Sequence, residues 1–236
     1  MKNLILILSV MAVALSACNG NQKKNPEPEK QPEKTVNHEP MKLDKFEIIE
    51  LLKAELTGGK TLMETMHLRQ SHREFAQKNL SLRHLSDILW VANGINRSDV
   101  NKRTVPSAMA MYPIKTYAVL ENGIYYYEPF RHQLEPVVEG DYRELAGLQP
   151  FVTTAPLNLI FIADYNVYNG ERPVPEDKRI YLASLDAAHS NQNVYLYCAS
   201  EGLKTVERAG AKEEELLKVL NLDENHKFIV AQTVGY

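Results

Sequence analysis

The spacing of apolar residues predicts three helices in the first part of the folded chain. Apolar side chains recur at helical spacing over residues 43–56, 61–70 and 82–91. Ser81 precedes the third of these segments as a helix N-cap, and Gly94 follows it as a terminator. Gly58-Gly59 ends the first helix, and the second runs directly into a polar segment that begins at Arg69.

Extended segments follow. Residues 114–120 alternate between apolar and polar side chains, Asn122-Gly123 is a strong hairpin turn signal, and residues 124–127 return as the second strand. Residues 157–163 form a nearly continuous apolar run, which predicts a central strand. We also predict strands over 203–206 and 228–234, with a helix over 212–220 between them. Helices mixed with an early antiparallel hairpin indicate the α+β class, with a central mixed or antiparallel sheet flanked by helices.

The longest predicted helix covers residues 178–201 and is apolar on more than one face. Ala183, Ala187 and Cys198 mark one face, and Tyr181 and Leu185 mark another. A helix of this kind lies either in a large core or at a subunit interface. Cys198 lies in the apolar run 194–198, so we expect an inert core cysteine. The preceding segment, 165–176, contains glycine and prolines and predicts a mobile loop.

The N-terminal residues carry targeting signals rather than fold. A basic start, an apolar run over 4–15 and the closing Leu15-Ser16-Ala17-Cys18 predict a secretory signal over 1–18. The closing residues resemble a bacterial lipobox, in which Cys18 receives lipid; plain secretion is the alternative. Residues 19–40 are rich in Pro, Lys and Glu and predict a disordered tether. We therefore expect a domain at 41–236, anchored by lipid at the membrane on the periplasmic side or at the cell surface.

Charge and common motifs exclude several classes of function. The chain has 27 Lys and Arg against 30 Asp and Glu, for a formal net charge of −3. Without an excess of basic residues, its charge does not favour a nucleic-acid-binding function. The histidines show no metal-ligand spacing, and no dinucleotide, P-loop or serine-hydrolase motif is present. Asp186 and His189 lie one helical turn apart and could be metal ligands, an acid–base pair or a buried hydrogen bond.

The best candidate for chemistry is the run Arg69-Gln70-Ser71-His72-Arg73. Arginine offers a planar fork of donors that matches phosphate oxygens, and the serine hydroxyl adds another donor. The run therefore predicts a site for one phosphate monoester, and the alternative is a solvated helix end that pairs with Glu64 and Glu74. A phosphate site in a chain without a nucleophile or metal cluster points to chemistry borrowed from a cofactor.

A second polar, turn-rich segment covers residues 101–108 and is closed by Tyr112-Pro113. Backbone amides around the Pro106 turn suit the carbonyls and ring nitrogens of a flat heterocycle, and an ordinary long loop is the alternative. Several short motifs lie in this order along the chain: Leu89-Trp90-x-Ala92-x-Gly94, Arg103-Thr104-x-Pro106-Ser107-Ala108, Tyr125-x-Tyr127-x-Pro129, Ala155-Pro156, Asp186-Ala187-x-His189-x-x-Gln192-Asn193 and Gly202-Leu203.

With these motifs the chain resembles the FMN-dependent nitroreductases from about Thr61 to Tyr236, especially the branch that includes the azoline dehydrogenases of thiazole and oxazole peptide biosynthesis. The resemblance implies a nitroreductase-like fold and a homodimer, with the long helix at the interface and one FMN in each of two interfacial clefts. It also implies a ping-pong oxidoreductase that passes electrons from NAD(P)H, or from a periplasmic donor, to nitro, quinone or similar small acceptors. Two alternatives stay open: a flavin-dependent dehydrogenase that oxidises a small or peptide substrate, and a non-catalytic lipoprotein that binds a ligand or partner.

The resemblance also implies which residues bind FMN, and it names no catalytic side chain. In the family the arginine motif binds the phosphate, and the proline turn contacts the ring, commonly from the partner subunit. Backbone amides near residue 209 approach the reactive flavin nitrogen. The implied residues are Arg69, Gln70, Ser71, Arg73, Pro106, Ser107, Ala108, Gln149, Asp186, Arg208, Ala209 and Gly210.

The chain departs from the family pattern in two places. Relatives often add a Lys or Arg to the phosphate from a C-terminal segment, whereas this sequence reads Val234-Gly235-Tyr236 there, so we expect the two motif arginines to dominate. Ala108-Met109-Ala110-Met111 also replaces a glycine-rich run and brings two flexible apolar side chains near the cleft.

Overall fold

Seven strands form one antiparallel sheet at the centre of residues 38–236, the part of the chain that this computed structural model describes. The signal segment, Cys18 and the tether as far as residue 37 lie outside the described residues. The strands along the chain are β1 Ile49–Glu50, β2 Ile95–Arg97, β3 Lys102–Arg103, β4 Ile114–Leu120, β5 Gly123–Glu128, β6 Gln133–Glu139, β7 Leu157–Asp164, β8 Lys204–Arg208 and β9 His226–Gly235. The large sheet has the order β1-β6-β5-β4-β7-β9-β8, and β2 and β3 pair separately.

Residues 38–236 contain four helices, of which α1 packs against α3 and the others lie on the sheet: α1 Leu62–Leu68, α2 Leu82–Asn93, α3 Glu176–Glu201 and α4 Glu213–Val219. The α2 and α3 helices pack their apolar sides on one face, where Leu85, Ala187 and Cys198 are buried. The α4 helix covers the other face with Leu216. The predicted α+β class, the central sheet flanked by helices and the buried Cys198 are confirmed, and all strand pairs of the described sheet are antiparallel.

Local signals placed most of these elements correctly. The Ser81 hydroxyl accepts a 3.1 Å hydrogen bond from His84 N at the start of α2, and Gly94 is the C-cap. The Asn122-Gly123 turn joins β4 and β5. Glycine is required at 123 because a Cβ there would lie 2.3 Å from the Phe46 ring. The predicted central strand is β7, which pairs with β4 on one side and β9 on the other.

The predicted helix over 43–56 is wrong. This segment is extended, with only Ile49–Glu50 paired to β6, and Leu56 is 71% exposed. Its backbone donors bond to distant residues instead of to one another: Leu52 N reaches Ser86 Oγ at 2.9 Å, and Glu55 N reaches Asp87 Oδ1 at 3.1 Å. Packing against α2 therefore overrides the helical spacing of the apolar residues.

Two further differences concern strands and loops. The pattern missed β6 and the β2–β3 pair; β6 contains Pro136, which weakens a strand signal. The predicted loop over 165–176 begins with a short 3-10 helix, Tyr165–Asn169, and the side chain of Tyr168 is buried. Within residues 38–236, no helix has the length and apolar character needed to cross a membrane.

Candidate functional site

The arginine motif lies where α1 ends and the chain reaches the edge of the sheet. Arg69 is the C-cap of α1, and its N–H donates to Thr65 O at 2.9 Å. The chain then becomes extended, and His72 N donates to Thr205 O of β8, also at 2.9 Å. This hydrogen bond fixes the backbone at His72, between Arg69 and Arg73, against the β8 edge of the sheet.

The side chain of Tyr195, on α3, contacts the motif directly. Its hydroxyl lies 2.8 Å from Ser71 Oγ and accepts a 2.9 Å hydrogen bond from Glu207 N. Its ring lies under Arg69, with 5.2 Å between the guanidinium carbon and the ring centroid. The residue pattern gave no sign of this role, because Tyr195 belongs to an apolar run of a long helix and meets the motif only through packing.

The motif is electropositive and retains free donor capacity. Neither Arg69 nor Arg73 forms an ion pair with any residue in the 38–236 range. Glu64, one of the partners in the surface-charge alternative, instead completes a capping box with Thr61, and these hydrogen bonds lower its pKa. Among residues 38–236, Glu64 therefore does not form the ion pair with the motif arginines that the surface-charge alternative predicts.

Two further groups belong to the neighbourhood of the motif. Burial, together with the positive charge of Lys204, lowers the pKa of His72, so this imidazole is neutral near pH 7. The Nδ1 atom of His72 is buried without a hydrogen-bond partner among the described residues. Lys204, on β8, thus adds a third positive charge near the motif, which the residue pattern did not indicate.

The proline turn meets α3 at a second place. The Asp186 carboxylate is 6% exposed and lies against the Ser107 hydroxyl and the Ala108 backbone amide of the same chain. Burial raises the pKa of Asp186 above its ordinary value, whereas Ser107, His189 and Ala108 act in the opposite direction. The structure therefore brings together three of the predicted site residues, and the buried hydrogen-bonding interpretation of Asp186 is the one it supports.

The loop after this turn is strained. Met109, Ala110 and Tyr112 have φ values of 52°, 55° and 49°, in the left-handed region that favours glycine. Tyr112 N donates to Ser107 Oγ at 2.8 Å, and the Tyr112 ring faces the Arg103 guanidinium carbon at 4.9 Å. These contacts hold the loop in a conformation that its own residues do not favour.

The remaining predicted residues lie at the end of β8. The Arg208 side chain is 5% exposed and points into the protein, where it donates to Ala146 O, to Asn158 Oδ1 at 3.1 Å and to Thr233 Oγ1 at 2.9 Å. Burial lowers the pKa of Arg208 to about 10. Its guanidinium is thus already bonded within the protein, and Arg208 is also paired with Ala231 of β9 in the sheet.

The neighbouring backbone is more open. Ala209 and Gln149 are exposed and Gly210 is half-buried. A Cβ on Gly210 would lie 3.3 Å from Leu148 Cδ1, so the turn that carries Gln149 lies beside the Ala209-Gly210 backbone. This group forms the third part of the predicted site. Asp186 and Tyr195 are nine positions apart on α3, so the turn contact and the motif contact lie about 14 Å apart along that helix.

Large apolar side chains are exposed on the elements that carry these parts. Tyr181 and Leu185, the second face of α3, are 61% and 41% exposed, and Met63 on α1 is 77% exposed. The other large apolar side chains exposed on α1, on α3 and in the strained loop are Leu62, Met66, Leu68, Ile180 and Met109. Within residues 38–236, no three His, Cys, Asp or Glu side chains converge as metal ligands.

Comparison with known proteins decides the family. Residues 67–236 match the model of the Nitroreductase family. The chain belongs to the nitroreductase family. A nitroreductase homologue from Methanocaldococcus jannaschii is 34% identical over 175 residues, which cover 69% of this chain and 85% of that protein.

Solved structures agree with this assignment. A nitroreductase homologue from Ralstonia eutropha is 36% identical, with a TM-score of 0.76 over 87% of this chain and 96% of its own. The NADPH:FMN oxidoreductase from Vibrio harveyi, solved with NAD+, is 17% identical, with a TM-score of 0.55 over 74% of this chain and 68% of its own. The second likeness shows the shared nitroreductase fold.

Proposed function

We propose that this nitroreductase-family chain is an FMN-dependent oxidoreductase that passes electrons to nitro, quinone or similar small acceptors in a ping-pong cycle. The observation that carries the proposal is the motif of Arg69, Ser71 and Arg73. It is fixed by a backbone hydrogen bond to Thr205, and both arginines are without an ion pair among residues 38–236. Two such guanidinium groups and a hydroxyl fit a phosphate monoester.

The other predicted residues have matching tasks. Gln149 offers a polar amide for the edge of a flat ring, and Asp186 anchors the turn of Pro106, Ser107 and Ala108 that would face that ring. The Ala209-Gly210 backbone offers amide donors that would favour negative charge on a bound cofactor. When bound, FMN supplies the hydride transfer, and the protein residues bind it, orient it and keep water from one side.

The active unit in this proposal is a homodimer. Large apolar side chains are exposed on α1, which ends at the motif, on α3 and at Met109, and exposed apolar side chains of this kind mark a protein interface. The proline turn contacts α3 about 14 Å away from the motif in the same chain. This separation supports a cleft completed by the turn of the partner subunit.

The electron donor is NAD(P)H or, for an exported protein, a periplasmic donor. The signal pattern that ends at Cys18 supports lipid anchoring at the membrane, although these residues lie outside the described part of the chain. Membership of the azoline-dehydrogenase branch stays a prediction.

The direct test is to purify the full-length chain and to identify its flavin. We expect a yellow protein that releases FMN on heating and that reoxidises with a nitroaromatic or quinone acceptor after reduction. A colourless protein that takes up no added FMN would contradict the proposal and would favour the ligand-binding lipoprotein. Oxidation of thiazoline peptides without nitroaromatic reduction would instead favour the dehydrogenase.

A further inference from the structure

Three groups form a continuous hydrogen-bonded chain behind the arginine motif. Glu207 N lies 2.9 Å from the Tyr195 hydroxyl, which in turn lies 2.8 Å from Ser71 Oγ. We propose that Tyr195 is a positioning residue for the FMN phosphate, which orients the Ser71 hydroxyl and the Arg69 guanidinium toward it. This inference rests on the proposed function, because it concerns the same phosphate site.

The backbone donor at one end fixes the direction of the first hydrogen bond. A backbone N–H can only donate, so the Tyr195 oxygen accepts from Glu207 N. The hydroxyl proton of Tyr195 is then free to be donated to Ser71 Oγ. In that arrangement, which the proposal adopts, Ser71 keeps its own proton for an outside acceptor, and Ser71 is exposed. Each bond in such a chain polarises the next, which makes the Ser71 hydroxyl a better donor to an oxyanion.

Tyr195 is well placed to hold this geometry. It is only 9% exposed and follows Val194, which is completely buried in the core beneath α3. Its ring also faces the Arg69 guanidinium carbon at 5.2 Å, which restricts the rotamers of that arginine. One rigid side chain therefore touches two of the three groups that would hold the phosphate.

The test compares two flavins that differ only in the phosphate. For Tyr195→Phe in the full-length protein, we expect the Kd of FMN to rise about three- to tenfold, the effect of one hydrogen bond. The Kd of riboflavin, which lacks the phosphate, should change less than twofold. Tyr197→Phe is the matched control, because it removes a hydroxyl from the same helix that bonds to Asp87 and not to the motif. It should leave the ratio of the two Kd values unchanged.

A double-mutant cycle tests whether Tyr195 acts through Ser71. Ser71→Ala changes an exposed residue, so we expect this variant to fold normally. If Tyr195 orients the Ser71 hydroxyl, the double variant should bind FMN no more than about twofold less tightly than Ser71→Ala alone. Fully additive losses, or equal weakening of FMN and riboflavin by Tyr195→Phe, would overturn the inference.

The outcomes separate this inference from the proposed function. A wild-type protein that binds neither flavin would overturn the proposed function and this inference together. A wild-type protein that prefers FMN, with the same preference in Tyr195→Phe, would leave the proposed function intact and overturn only the role of Tyr195.

Discussion

Arg83 Nε donates a 2.7 Å hydrogen bond to Asp87 Oδ2 on α2, and both side chains are nearly buried, at 12% and 7% exposure. The same carboxylate accepts from Glu55 N at 3.1 Å and from the Tyr197 hydroxyl at 3.2 Å. Asp87 thus joins α2, α3 and the extended segment that precedes α1. The segment that was expected to be a helix is held extended at this point.

Asp87→Ala should destabilise the fold by about 3–5 kcal/mol, because it leaves the Arg83 charge buried without its partner. Urea unfolding followed by circular dichroism measures this change. The Asp87→Asn variant keeps two polar atoms and should lose less. Equal stability of Asp87→Ala and wild type would show that this ion pair does not hold the segment.

His84 should make the protein sensitive to acid. Burial and the neighbouring His38 lower the pKa of His84 from 6.5 to about 4, and its ring lies 4.7 Å from that of His38. As the pH falls below 6.5, the unfolded chain takes up the proton first, so stability declines until about pH 4. Between pH 7 and pH 4.5, we expect the free energy of unfolding of His84→Gln to fall by about 1–2 kcal/mol less than that of the wild type. An equal loss of unfolding free energy in His84→Gln and in the wild type would contradict this assignment.

The sequence predicted those parts whose signals are local. The N-cap at Ser81, the Asn122-Gly123 turn and the apolar run of β7 each depend on neighbouring residues, and each was found where expected. The helix prediction for residues 43–56 was wrong because the hydrogen-bond partners of that backbone, such as Ser86 and Asp87, are more than thirty residues away in the chain.

The same distinction applies to the candidate site. The position of the arginine motif followed from a short run of residues, whereas Tyr195 and Lys204 become its neighbours only when α3 and β8 pack beside it. The guanidinium of Arg208 could not be assigned from sequence, because its partners Asn158 and Thr233 come from two other strands.

The strained loop should tolerate glycine. Ala110 has a φ of 55°, a conformation that disfavours an L residue by about 1–2 kcal/mol, while glycine loses about 0.5–1 kcal/mol through its freer unfolded state. We therefore expect Ala110→Gly to raise the free energy of unfolding by up to about 1 kcal/mol. The control Ala199→Gly, in helical backbone of α3, should lower it by about 1 kcal/mol. Destabilisation of similar size in both variants would show that the loop is not strained at Ala110.

The proposed dimer surface can be tested with a single charge. Leu185, on the exposed face of α3, is 41% exposed, and burying an unpaired carboxylate in an interface costs several kcal/mol. We expect Leu185→Glu to be a monomer by light scattering where the wild type is a dimer. Phe130→Glu is the control, since Phe130 is 63% exposed in the turn between β5 and β6. A dimeric Leu185→Glu protein would place the interface elsewhere.

The measurement that tests the central claim most directly is the affinity for FMN after loss of each motif arginine. Arg69→Ala and Arg73→Ala should each weaken FMN binding by about 1.5–3 kcal/mol, as expected for hydrogen bonds to a charged group. Fluorescence titration of the full-length variants, with Arg131→Ala as an exposed arginine control, gives these values. A loss in both motif variants but not in the control is the result we predict. Equal FMN affinity in wild type and in both motif variants would show that this motif does not hold the phosphate.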